Sequence, residues 1–249
     1  MNVKRLLCVS AALAIGGTAH AALIKVDGNL MSGSPYAITS SSGSLQFDAS
    51  LLSALGAVGV NFNAVAPATY DSAAARVNTT VTSFKYESTN NQFSSLTTAG
   101  GGAFVMPSAT SVFGIRVGGP GNVSFTDLTI NLASNTVSAF VSGANGVASG
   151  IYDIFTFASR TGATQITGAG TYDFSATGLA LTAAGVNLVS QGLNLSSTGK
   201  NILADVPNLG TLSGRVTVKA VPEPATYATL GLGLIALGAL ARRRRAAND

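Results

Sequence analysis

Three Tyr-Asp pairs are the residues of this chain whose types could most readily do acid–base chemistry. Two carboxylates on either side of a sugar can cleave a glycosidic bond, and Asp153 and Asp173 are the candidates for such a pair. In a β-strand, however, side chains alternate, so an outward acid beside an inward aromatic needs no catalytic explanation. We therefore assign no catalytic residue and keep a carboxylate-based glycosidase as an alternative. The pairs are Tyr70-Asp71, Tyr152-Asp153 and Tyr172-Asp173.

Thiol and imidazole chemistry is confined to one short segment. The single cysteine and the single histidine are Cys8 and His20. If the segment that contains both residues is cleaved from the mature protein, Ser-His-Asp and Cys-His catalysis are excluded, and so are zinc sites of the Cys/His type. The acids of the chain do not follow the Asp-x-Asp-x-Asp spacing of a calcium loop. We expect a non-enzymatic protein without a metal or other cofactor.

Residues 1–21 have the pattern of a secretory signal peptide. A basic start is followed by an apolar run at residues 6–15 and by a small-x-small cleavage site at Ala19 and Ala21. The pattern predicts export through the Sec translocon and cleavage by signal peptidase before Ala22.

The charge of the chain is concentrated at its ends. The formal net charge is +4, and the excess comes from two lysine or arginine residues near the start and a cluster of four arginines after residue 241. Residues 22–220, which we interpret as one extracytoplasmic domain, are balanced in charge. Nucleic-acid binding, which requires a basic face, is therefore disfavoured.

The body is predicted to be mainly β, a sandwich-like or open-barrel ectodomain with one or two short helices. Alternating β-formers predict strands at 77–82, 84–86, 112–117, 123–132, 137–141, 151–157, 171–176 and 215–218. Clusters of turn residues predict breaks at 100–102, 118–121, 134–135, 143–146 and 160–162.

Two helices are predicted at Asp48 and Thr182, each of which is a good N-cap before an apolar stretch. Their surroundings correspond at one constant spacing, with Phe47 matching Leu181 before the caps. This indicates a strand–short helix–strand unit that is used twice, although chance similarity is an equally good explanation in so Ala- and Gly-rich a chain.

The C-terminal stretch, residues 221–249, combines three features. First, two prolines keep a glutamate in an extended conformation. Second, residues 225–241 carry no charge, and their number is at the lower limit of the roughly 17–25 residues that span a bilayer. Third, a cluster of arginines follows. The positive-inside rule then places the arginines in the cytoplasm and the body outside. The residues are Val221, Pro222, Glu223, Pro224 and Ala225, followed after the transmembrane run by Arg242, Arg243, Arg244 and Arg245.

This stretch resembles the PEP-CTERM sorting signal of Gram-negative bacteria in order and spacing. The resemblance implies an exported protein that is first anchored in the inner membrane by its tail. An exosortase-type membrane enzyme then processes it, and it ends at the cell surface or outside the cell. It also implies a setting of exopolysaccharide or biofilm production. A plain C-terminal anchor is the alternative on the residues alone.

The body is loosely similar to HtaA-type haem-binding modules of bacterial surfaces. The similarity lies in residues 44–60, 100–104, 127–130 and 136–139. It implies a tyrosine ligand to iron, without the usual histidine, and so a haem- or small-ligand-binding module is a further alternative. The tyrosines that could serve are Tyr36, Tyr70, Tyr86, Tyr152 and Tyr172.

Overall fold

A computed structural model describes residues 22–28, 34–206 and 208–221, together with Leu232 and Ile235. The strands are β1 (Leu23–Asp27), β2 (Tyr36–Phe47), β3 (Asn61–Val65), β4 (Thr69–Asp71), β5 (Arg76–Glu87), β6 (Phe93–Ala99), β7 (Gly101–Met106), β8 (Thr110–Val112), β9 (Ile115–Gly118), β10 (Gly121–Asn131), β11 (Thr136–Gly143), β12 (Gly150–Gly162), β13 (Gly170–Leu181) and β14 (Gly210–Ala220). The helices are α1 (Ala49–Ala57), α2 (Ala183–Gly192) and α3 (Ser197–Ala204).

Eight antiparallel strands close into a barrel in the order β5-β2-β14-β13-β12-β11-β10-β6, and β6 pairs back with β5. Of the other strands, β1 and β4 pair with β5, β7 with β10 and β3 with β7. β8 and β9 form a separate hairpin. The prediction of a mainly β body is thus confirmed. The sheet forms a closed barrel.

The barrel is wider at one end because one strand is interrupted at Gly100. Before this residue, β6 alone joins β5 to β10. After it, β7 pairs with β10 on one side and with β3 on the other. β3 in turn contacts β4, and β4 pairs with β5. The gap that β6 fills at the narrow end is therefore filled by β7, β3 and β4 at the wide end.

The three described helices lie at the wide end of the barrel. α1 directly follows β2 and α2 directly follows β13, while α3 precedes β14, and the register brings Phe47 opposite Gly210.

The helices at Asp48 and Thr182 are confirmed, whereas α3 was not predicted. Their N-caps accept from backbone N–H groups: Asp48 from Ser50 (2.9 Å), Thr182 from Gly185 (2.9 Å) and Ser196 from Gly199 (3.3 Å). The hydroxyl and amide of Ser50 lower the pKa of the Asp48 carboxyl.

The repeated unit is only partly equivalent in its two copies. Phe47 and Leu181 each end a strand, and the helix begins two residues later in both. After that the copies diverge, because α1 leads to β3, which pairs with β7, whereas α2 and α3 lead to β14, which pairs with β13 and β2. The strand–helix junction recurs, but its partners do not.

An aromatic cluster fills the wide half of the barrel. The ring centroid of Phe62 lies 4.7 Å from that of Phe47 and 5.4 Å from that of Phe104. Phe125 continues the series at 6.2 Å from Phe104 and 6.1 Å from Phe155. These separations are those of favourable edge-to-face and tilted pairs. Two apolar cavities of about 60 and 50 Å³ border the cluster, one towards the helices and one in the barrel.

Three segments differ from the predicted pattern. Residues 112–117 form a hairpin rather than one strand, since Phe113 and Gly114 both have positive φ and turn the chain between β8 and β9. Residues 160–162 continue β12, because they pair with residues 174–176 of β13. A break is predicted at residues 100–102, but only Gly100 lies between strands, because Gly101 and Gly102 already belong to β7 and pair with β10.

Among the residues that the structure describes, no helix is long and apolar enough to cross a membrane. The predicted transmembrane run at residues 225–241 lies outside them, except for Leu232 and Ile235.

Candidate functional site

The last barrel strand leads directly into the predicted sorting stretch. β14 pairs with β13 as far as Val218 and with β2 as far as Ala220, which lies opposite Tyr36. One residue later the N–H of Val221 donates to the carbonyl of Pro35 at 2.8 Å. Val221 is therefore still attached to the barrel wall. Pro222, Glu223, Pro224, Ala225 and the four arginines Arg242, Arg243, Arg244 and Arg245 lie outside the described residues.

The predicted mature N-terminus also lies against the barrel. The N–H of Ala22 donates to the hydroxyl of Ser88 at 3.1 Å, and Ser88 returns a backbone bond to Ala22 at 2.9 Å. Leu23 then begins β1 opposite Glu87. Ala19 and Ala21, the other two residues of the predicted cleavage site, lie outside the described residues.

Ala22 and Val221 lie at the same, narrow end of the barrel. β5 and β14 both run antiparallel to β2, so their last residues are at the same end. Ala22 precedes Leu23, which pairs with the last residue of β5, and Val221 follows the last residue of β14. The helices and the β8–β9 hairpin are at the opposite end, and the hairpin exposes Phe113 completely.

The three Tyr-Asp pairs follow the alternation of their strands. In each pair the tyrosine is half-buried and the aspartate exposed. Asp71 accepts from the N–H groups of Ala73 and Ala74 in the turn after β4. Asp153 accepts from the hydroxyl of Ser138 on the neighbouring strand. These hydrogen bonds support a structural role.

Asp173 has a stronger partner in Arg215. The guanidinium Nε lies 2.6 Å from Oδ1 and Nη2 lies 3.2 Å from Oδ2, which makes a two-pronged ion pair across β13 and β14. The hydrogen bond from Arg215 lowers the pKa of the Asp173 carboxyl, and Asp173 raises the pKa of Arg215. Because both groups are solvent-exposed, we expect this pair to contribute little to stability.

Asp153 and Asp173 are too far apart to form a glycosidase pair. Gly162 at the end of β12 pairs with Phe174, whereas Asp153 lies nine residues earlier on the same strand. At about 3.3 Å per residue this places Asp153 roughly 30 Å from Asp173 along the wall. The two acids of a glycosidase are about 5–9.5 Å apart. Within the described residues, moreover, no group of three or more His, Cys, Asp or Glu could hold a metal ion.

The tyrosines are engaged in packing and backbone contacts. The hydroxyl of Tyr152 donates to Ala148 and that of Tyr172 to Gly168, while Tyr36 and Tyr70 pack edge-on against Tyr86 and Phe62. Tyr86 is only 2% exposed. Burial, with a smaller contribution from Tyr36, raises its pKa and so disfavours the phenolate that iron would bind. No tyrosine lines either apolar cavity among the described residues.

In the comparison with known proteins, only the segment that follows β14 has a match. A family model described as the PEP-CTERM protein-sorting motif matches residues 220–245. No curated protein matches the chain. No solved structure matches it either. The match begins at the last residue of the barrel and covers the Pro-Glu-Pro stretch, the uncharged run and the arginines. Residues 220–245 are a PEP-CTERM protein-sorting motif, and the chain is an exported protein addressed to an exosortase-type membrane enzyme.

Proposed function

We propose that the barrel is a non-enzymatic envelope or extracellular-matrix module that reaches the cell surface through its PEP-CTERM tail. Signal peptidase removes residues 1–21, the tail holds the protein in the inner membrane, and the exosortase-type enzyme then releases or transfers the body. The single observation that carries this proposal is the sorting motif that starts where β14 ends. The exopolysaccharide or biofilm setting is what the motif's family implies.

The arrangement of the barrel supports this route. Ala22 and Val221 both lie at the narrow end, so one end of the body faces the membrane after export and the wide end faces away. The chain from Val221 to Ala225 can bridge at most roughly 14 Å. A tail-held barrel therefore stands close to the membrane, and the processing enzyme must act in this short gap.

We expect that Pro222→Ala together with Pro224→Ala blocks processing and leaves export and anchoring intact. The two prolines restrict the backbone around Glu223 to extended conformations, which keeps that segment accessible next to the membrane. The measurement is an immunoblot of body-tagged and tail-tagged protein in a host that has an exosortase. The wild type loses its tail tag there, and the double variant keeps it.

A plain anchor gives the opposite result, since its tail is never cut. A wild type that keeps its full length in this host, or a double variant that is trimmed as efficiently as the wild type, would refute sorting at this stretch. A host without exosortase serves as the control, because both proteins should there remain at full length.

Replacing all four arginines, Arg242 to Arg245, by glutamine is expected to weaken membrane retention and to mix the orientation of the tail. Each arginine near the end of a span resists translocation, so the cluster fixes the C-terminus inside. The measurement is protease accessibility of a C-terminal tag in spheroplasts. Replacement by four lysines keeps the charge and is the matched control. Unchanged orientation of the glutamine variant would contradict the topology.

A further inference from the structure

A polar groove crosses the outer wall of the barrel, away from the sorting tail. Its volume is about 350 Å³, within the size range of roughly 300–1,000 Å³ that small-ligand sites occupy. The groove crosses four adjacent strands, β5, β2, β14 and β13. Its polar lining includes Ser42, Ser44, Arg76, Ser213 and Arg215.

Short side chains make the floor of this groove and long ones make its walls. Ser44 and Ser213 are paired across β2 and β14, and their hydroxyls lie 2.8 Å apart. Arg215 with its partner Asp173 stands on one side, and Arg76 stands on the other. The ring of Phe174 is turned to the barrel interior, where it covers Gly214 so closely that a Cβ there would lie 1.9 Å from the ring. The groove therefore offers hydroxyl, amide and guanidinium groups rather than an apolar surface.

The two arginines differ in what they already bind. Arg215 is neutralised by the two-pronged pair with Asp173. Arg76, which is half-buried, has a buried Nε without a hydrogen-bond partner among the described residues. Asp71 lies opposite Arg76 in the strand register, but its Oδ1 accepts from Ala73 and Ala74. Because this Nε is closed off from solvent, a ligand in the groove would contact the terminal nitrogens of the Arg76 guanidinium.

We propose that this groove binds an anionic, carboxylate-bearing oligosaccharide. Arg76 holds the carboxylate, because a guanidinium is the side chain best suited to a planar carboxylate. Ser42, Ser44 and Ser213 exchange hydrogen bonds with sugar hydroxyls, since each serine can both donate and accept. Among the described residues, Arg76 is the arginine of the groove without an ion pair, which suits one carboxylate at this site and provides too little positive charge for a nucleic-acid backbone. This inference names a ligand for the matrix role and so rests on the proposed function.

The test is the affinity of the full chain, purified in detergent, for polygalacturonate, with dextran as the neutral polymer and dextran sulfate as the sulfated one. We expect polygalacturonate to bind best and Arg76→Gln to weaken this binding about tenfold, the loss expected for one charge-assisted hydrogen bond. Ser213→Asp, which adds a negative charge to the exposed floor, should weaken it at least as much without disturbing the core. Both variants are checked by their melting temperatures.

Two matched variants change the same charge elsewhere on the wall. Arg160→Gln removes an exposed arginine on β12, and Ser159→Asp alters the exposed hydroxyl pair of Ser159 and Thr177, which resembles that of Ser44 and Ser213. Both should bind like the wild type. The proposal is overturned if polygalacturonate does not bind, if the groove variants behave like these controls, or if dextran or dextran sulfate binds as well.

Binding and sorting are measured separately, so their failures can be told apart. Loss of polygalacturonate binding with normal tail processing would refute the groove alone. Retained binding with an unprocessed tail would refute the sorting route alone.

Discussion

Gly101→Ala is expected to destabilise the barrel by an amount at or above the upper end of the roughly 1–3 kcal/mol that overpacking costs. A Cβ at this position would lie 1.9 Å from the carbonyl oxygen of Phe125 and 3.0 Å from the Cα of Thr126. Both are backbone atoms of β10. They cannot withdraw easily, because β10 is paired with β11 on its other side. The strain therefore has to be absorbed at the junction where β6 gives way to β7.

The measurement for Gly101→Ala is the midpoint of urea unfolding of the purified protein, which should fall clearly below that of the wild type. Gly170→Ala is the matched control, since Gly170 is also in a strand but a Cβ added there would meet no heavy atom within 4 Å. We expect it to stay within about 0.5 kcal/mol of the wild type. Equal midpoints for the two variants would show that β10 and β7 are not in close contact at this point.

Phe155→Ala is expected to lower the free energy of unfolding by about 3–5 kcal/mol, the range for truncating a buried phenylalanine. Phe155 is 6% exposed and packs against Phe125. It also lines both apolar cavities, so removal of the ring joins them into one larger void. An apolar void of this kind stays dry and can take up a small apolar molecule.

Two measurements make the prediction for Phe155→Ala specific. The first is urea unfolding beside Phe113→Ala, in which a completely exposed ring is removed and the change should stay within about 0.5 kcal/mol. The second is thermal unfolding with and without benzene, which should raise the melting temperature of Phe155→Ala and leave the wild type unchanged. A small loss of stability without any benzene effect would place Phe155 outside the core.

Local features were predictable because their causes lie within a few residues of the chain. Alternating β-formers predict a strand such as β10, since the period of two needs no distant partner to be visible. Asp48 and Thr182 predict their helices because a cap bonds an N–H two or three residues later. The sorting motif is also contiguous, and a family model matches it at residues 220–245. The signal in Ser196 before α3 was of the same kind but was missed, because that helix is short and polar.

The tertiary structure alone decided which strands become neighbours. The break at Gly100, which widens the barrel, depends on β3 and β4, and residues 160–162 stay extended because β13 pairs with them. The groove likewise joins Arg76 to Ser213 and Arg215, which are far apart in sequence. A strand pattern specifies which face of a strand is buried but not the strand beside it, because pairing depends on long-range closure of the barrel. The sequence by itself therefore determined that the body is mainly β and that the tail carries a sorting motif. The tertiary structure determined which side chains share a surface.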